Sequence, residues 1–86
     1  MLRAIITRVA KPPVVGGKVR PRLVEGEKRS LLVVFNDNLQ DQVATLKLPA
    51  RYGKATDLHS RANCPLVNSA VQLTVPYQDA VVLLLE

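Results

Sequence analysis

Leu31-Leu-Val-Val-Phe35 and Ala80-Val-Val-Leu-Leu-Leu85 decide the fold. Each run is too short for a stable helix and is marked off by turn-forming residues: Asn36-Asp37-Asn38 follows the first, and Pro76-Tyr77 precedes the second. Short Asx side chains bond nearby backbone and tolerate left-handed conformations, so the Asn-Asp-Asn triplet reads as a turn. Both runs therefore read as strands. Neither alternates, and each is apolar on both faces. A strand in a two-layer sandwich hides only one face in the core, and a strand apolar on both faces needs cover on both. Two covers fit the sequence equally well. One is a larger neighbour absent from this sequence; the other is the N-terminal segment, Met1 to Val9, folded over the sheet.

Outward from these runs, the rest of the chain also reads as strands and turns. Leu2 to Val9 forms one strand, and Lys11-Pro-Pro-Val-Val-Gly-Gly-Lys18 is a Pro/Gly connector. Val19 to Glu25 and Ser30 to Asn36 pair as a hairpin whose loop contains Gly26. Pro21 lacks a ladder donor, which places the first of these strands at a sheet edge. Gln42 to Leu48 puts Ala44, Leu46 and Leu48 on one face and Val43, Thr45 and Lys47 on the other. Lys54 to His59 is a short strand after the Tyr52-Gly53 turn, and Ser60 to Ser69 is a loop. Val71-Gln-Leu-Thr-Val75 alternates as a half-buried strand. The expectation is an all-β fold, a small antiparallel β-sandwich of about seven short strands. Residues 1–17 form the N-terminal strand and connector, and residues 18–86 form the sandwich domain.

Length and composition agree with one small domain. The chain has 86 residues, 48% of them apolar, with 12 Lys+Arg against 7 Asp+Glu and a net charge of +5. Such a chain buries about two-thirds of its unfolded surface. Its apolar content exceeds that of a disordered tail. Its basic balance attracts anionic surfaces or nucleic acid. The single cysteine, Cys64, excludes an internal disulfide and suits a reducing cytoplasm or a segment of a larger protein. No run approaches the roughly 20 apolar residues of a membrane-spanning helix. Arg3 and Arg8 interrupt the opening MLRAIITRVA, which carries no signal-peptide core.

Catalytic chemistry finds little purchase here. His59 is the only histidine. Its neighbour Ser60 would point to the opposite face of a strand, and Cys64 would reach it only if the loop folded back. One His and one Cys with no ligand spacing do not make a zinc site. Asp37 and Asp41 frame a turn without the spacing of a calcium loop. The acids Glu25, Glu27, Asp37, Asp41, Asp57, Asp79 and Glu86 lie mostly in turns or at strand ends, and no pair stands out for glycoside hydrolysis. Gly16-Gly17 opens no helix, so no phosphate loop is present. No catalytic residue, metal ligand or cofactor site is expected. Among the aromatics, Phe35 reads as core, whereas Tyr52 and Tyr77 flank turns and are the candidate ligand-binding residues if sugars stack here. Arg20 and Arg22 share a strand face, with Lys28-Arg29 in the following loop. This patch lacks the interleaved aromatics of nucleic-acid binders, and basic hairpins commonly serve as protected edges.

The order of motifs carries a resemblance. Ser30-Leu-Leu-Val-Val-Phe-Asn36, the strand Val43 to Leu48, Ala55-Thr-Asp-Leu58, and Val71 to Val75 with Pro76-Tyr77 and Val81-Val82-Leu83 follow one another as in a known domain type. The segment from Lys18 to Glu86 resembles the C-terminal β domain of glycoside hydrolases, namely TIM-barrel β-galactosidases and α-amylase-like enzymes. It departs from them at Ser60-Arg-Ala-Asn63, where those domains carry a glycine after the Asp-Leu strand. The resemblance implies an immunoglobulin-like accessory sandwich that is not itself an enzyme. It would stabilise or dock on the catalytic barrel of a parent chain acting in carbohydrate metabolism. In its closing hairpin, a proline-led turn feeds an apolar final strand. A carbohydrate-binding module is the alternative function, and a basic nucleic-acid-binding β domain the second alternative.

Overall fold

The computed structural model describes residues 6–86, and every element in it is a strand. The strands are β1 (Ile6–Ala10), β2 (Val14–Gly16), β3 (Arg20–Gly26), β4 (Ser30–Phe35), β5 (Gln42–Lys47), β6 (Ala55–Asp57), β7 (Asn63–Cys64), β8 (Leu66–Val67), β9 (Ala70–Val75) and β10 (Ala80–Leu85). They form two sheets, a six-stranded one ordered β1-β3-β4-β10-β6-β7 and a four-stranded one ordered β2-β5-β9-β8. Every pairing is antiparallel. The all-β antiparallel sandwich expected from the sequence is what the chain forms. The strands beyond the expected seven are β2, β7 and β8, each of two or three residues.

The core lies between the sheets. Leu23, Leu32, Val34, Ala55, Leu83 and Leu85 of the larger sheet meet Leu46, Val71, Leu73 and Val75 of the smaller one. Ala44, Leu46 and Leu48 are all buried, as the alternation in that strand requires. The two apolar runs sit side by side at the centre of the larger sheet, with Leu32 opposite Leu83 and Val34 opposite Val81.

Four local expectations are corrected. Pro21 does not put β3 at an edge, because β3 lies between β1 and β4. The proline is tolerated because β1 stops opposite Leu23, two residues short of it. A strand residue's N–H and C=O point to the same flank, and the Pro21 carbonyl accepts from Arg22 Nη1 (2.9 Å) instead of from a strand. Second, the connector over residues 11–18 holds β2, which pairs with β5. Third, the loop over residues 60–69 contains β7 and β8. Val67 pairs with Ala70 across Asn68 and Ser69, both with positive φ (51° and 62°). That is a two-residue hairpin of the primed type. Fourth, β9 and β10 do not form a closing hairpin. They belong to different sheets, and the Pro76–Asp79 segment arches between them. Residues 2–5 of the expected first strand lie outside the described residues.

Asn36 secures that arch. Its Nδ2 donates to the carbonyls of Gln40 (2.9 Å), Val75 (2.9 Å) and Pro76 (3.2 Å), and its Oδ1 accepts from the Asn38 N–H (2.8 Å). Asp41 Oδ1 accepts from the Tyr77 N–H (2.9 Å). The β4–β5 and β9–β10 crossings are thereby tied to one another.

Candidate docking face

Directly opposed residues of an antiparallel pair project to the same side of the sheet, so the pairings define the outer face of the larger sheet. Leu31, Val33 and Phe35 of β4 stand between Val24, Arg22 and Arg20 of β3 and Leu84, Val82 and Ala80 of β10. Val9 of β1 lies beyond Val24, and Thr56 of β6 beyond Leu84. The centre of this face is aliphatic. Leu31 (37% exposed) and Phe35 (40%) are open to solvent, which corrects the reading of Phe35 as core, since it falls on the outward side of β4; Val24, Val33, Val82 and Leu84 are half-buried by their neighbours alone. The outer face of the smaller sheet is mixed: Thr45, Lys47, Gln72 and Thr74 stand among Val43, Ala70 and Val67.

The N-terminal segment does not cover the aliphatic face over the residues described. β1 pairs edge to edge with β3, so residues 6–10 widen the sheet instead of crossing it. Of the two covers the sequence allowed, the internal one is thus absent from residues 6–86. Strands about 20 Å long at about 4.8 Å spacing make the aliphatic area over three to four strands about 300–400 Å². A patch of that size on a small domain commonly marks a contact site.

The charged residues of the face are arginines. Arg20 pairs with Asp37 (2.6 Å) at one end. Arg22 is half-buried beside Val33. Among the described residues its side chain hydrogen-bonds only to the Pro21 carbonyl, and no carboxylate lies within ion-pair distance of it. The basic pair noted in the sequence therefore does share one face, and the aromatic beside it is Phe35. Shallow depressions flank Phe35, one against Lys18, Arg20 and Asn38, the other against Gln78 and Asp79.

The two tyrosines part company. Tyr77 is 61% exposed in the arch before β10. Tyr52 is 5% exposed, so its ring offers no stacking surface, and it is corrected from candidate ligand residue to core residue. Its hydroxyl shares a 2.5 Å hydrogen bond with Ser30 Oγ and accepts from Arg51 Nη2. Arg51 also lies over the ring, 4.4 Å from its centroid, and reaches Glu25 Oε1 (3.2 Å). Glu25 takes a second ion pair from Arg8 Nε. Sequence reading passed over this cluster because Glu25, Ser30 and Tyr52 meet only through tertiary pairing. The cluster clasps β1, β3, β4 and the β5–β6 connection together.

The remaining polar candidates serve turns. Asp57 Oδ1 accepts from the N–H groups of His59 (2.8 Å) and Ser60 (3.2 Å), capping the β6–β7 turn. Cys64 is half-buried. Burial, and then the nearby Asp57 charge, push its thiol above the ordinary range against a smaller opposing hydrogen bond. No family model matches the chain, and no curated protein or solved structure matches it significantly.

Proposed function

We propose that this chain is a non-catalytic docking domain whose larger sheet packs, through its outer face, on the catalytic TIM-barrel domain of a glycoside hydrolase and stabilises that enzyme. The observation that carries the reading is the aliphatic face of β3, β4 and β10, where Leu31, Val33, Phe35, Val82 and Leu84 stand side by side with no outer cover among the described residues. The motif order from Ser30 to Leu83 supports the choice of parent. The acids fit a supporting role as well. Glu25 is held by two arginines, Asp37 by a third, and Asp41, Asp57 and Asp79 accept backbone N–H groups.

The test uses the full-length gene product. Val33→Lys together with Leu84→Lys places two charges on the face without touching the core. Aryl-glycoside turnover should keep its KM, while the temperature of half-inactivation falls by several degrees. An unchanged inactivation temperature, or turnover abolished by mutating an acid within residues 6–86, overturns the reading.

A further inference from the structure

Resting on that docking reading, we infer that the occupant of this face is a covalently linked neighbouring domain that presents a carboxylate to Arg22. The guanidinium has five N–H donors in a planar fork, of which the Pro21 carbonyl uses one. None of the Arg22 nitrogens is buried without a partner, so the remaining donors are open to solvent water at the rim of the aliphatic area. Any partner that covers Leu31, Val33 and Leu84 also removes that water, and a buried unpaired guanidinium opposes docking strongly. A carboxylate satisfies the fork in bidentate fashion and fixes the lateral register of an otherwise featureless greasy contact.

A second copy of this chain brings no acid on the outward strand positions, and Asp37 at the rim of the face already pairs with Arg20. The outward positions of β3, β4 and β10 are Arg20, Arg22, Val24, Leu31, Val33, Phe35, Ala80, Val82 and Leu84, without an acid among them. A two-fold pairing of these faces would set Arg22 against aliphatic groups or arginine. The outer face of the smaller sheet, with Lys47 as its charge, offers no carboxylate either. Area points the same way. A freestanding complex needs about 800 Å² from each partner. Contacts between domains of one chain commonly span about 300–750 Å² a side, and tethering raises the effective concentration of the partner. The aliphatic area of about 300–400 Å² falls in the second range.

The experiment places a photo-reactive benzoylphenylalanine at Val33, beside Arg22, in the full-length gene product, with Val43 on the other sheet as control. The expected result is a crosslink from position 33 to an acid-containing peptide elsewhere in the same polypeptide. Arg22→Glu should cut its yield at least tenfold, and reversing the charge of the mapped carboxylate should restore it. Arg22→Met keeps the aliphatic stem and should also lower the yield, with unchanged circular dichroism showing that the domain remains folded. If the crosslink forms but neither variant moves its yield beyond twofold, the carboxylate pairing is overturned and the docking reading stands. If position 33 crosslinks no better than position 43, or only to a second copy of residues 6–86, both are overturned.

Discussion

Arg61 shows how a single residue carries a turn against its own preference. It has φ 62° in the turn between β6 and β7, where a side chain crowds the backbone. The turn holds because the Asp57 carbonyl accepts the Arg61 N–H (2.7 Å), the Ala62 carbonyl accepts the Asp57 N–H (2.9 Å), and the Asp57 carboxylate caps two further N–H groups. Arg61→Gly should therefore stabilise the domain by up to about 1 kcal/mol, as relief of left-handed strain outweighs the added freedom of the unfolded chain. Urea denaturation of both proteins reads the difference, and a loss of stability would show the strain to be negligible. At the same scale Tyr52 illustrates what residue type alone conceals. A tyrosine next to a turn is equally suited to stacking on a sugar or to filling a core, and its hydroxyl's partners Ser30, 22 positions away, and Arg51, itself held by Glu25, make it the second.

At the scale of the strand, legibility followed hydrophobic pattern and failed where pairing is set by backbone shape. The long strands β3, β4, β5, β9 and β10 fall where their apolar periodicity puts them. β2, β7 and β8 are too short to have a period. The β8–β9 hairpin turns on Asn68-Ser69 instead of the Asn-Gly pair that announces such turns, so it reads as loop. β2 was hidden by its own Gly16 and by its neighbours Pro12, Pro13 and Gly17, which imply a connector until their geometry is seen. Gly17 has φ +88°, and a Cβ there would stand 2.5 Å from the Val43 carbonyl oxygen. It lets the chain leave β2 hard against β5. Gly17→Ala combines a forbidden backbone conformation with overlap on rigid backbone and should cost about 2–3 kcal/mol. Chemical denaturation gives the value, and hydrogen exchange should show the loss of protection centred on β2 and β5. The outer face was legible as an imbalance, two strands with more apolar surface than a small sandwich can hide. Its exact membership was not, because Arg22 joins it only through the β3–β4 register.

For the molecule as a whole, the two sides of the central strand have different roles, and adjacent leucines separate them. Leu32 is fully buried between the sheets, whereas Leu31 is 37% exposed on the outer face. In the isolated domain Leu32→Ala should cost about 2–5 kcal/mol and Leu31→Ala less than about 1 kcal/mol. Equal costs in thermal melts would mean that the outer face is already shielded. The order of strands carries a final consequence. β10 is inserted between β4 and β6, so the strand made after all the others completes the middle of the larger sheet. Until residues 80–85 have left the ribosome, β4 has an open flank of six positions, Ser30 to Phe35, and nothing local to close it. Such late, distant pairing slows folding and postpones it until that strand has been made. During that interval the nascent segment is a ready substrate for chaperones or for strand exchange between neighbouring polysomes.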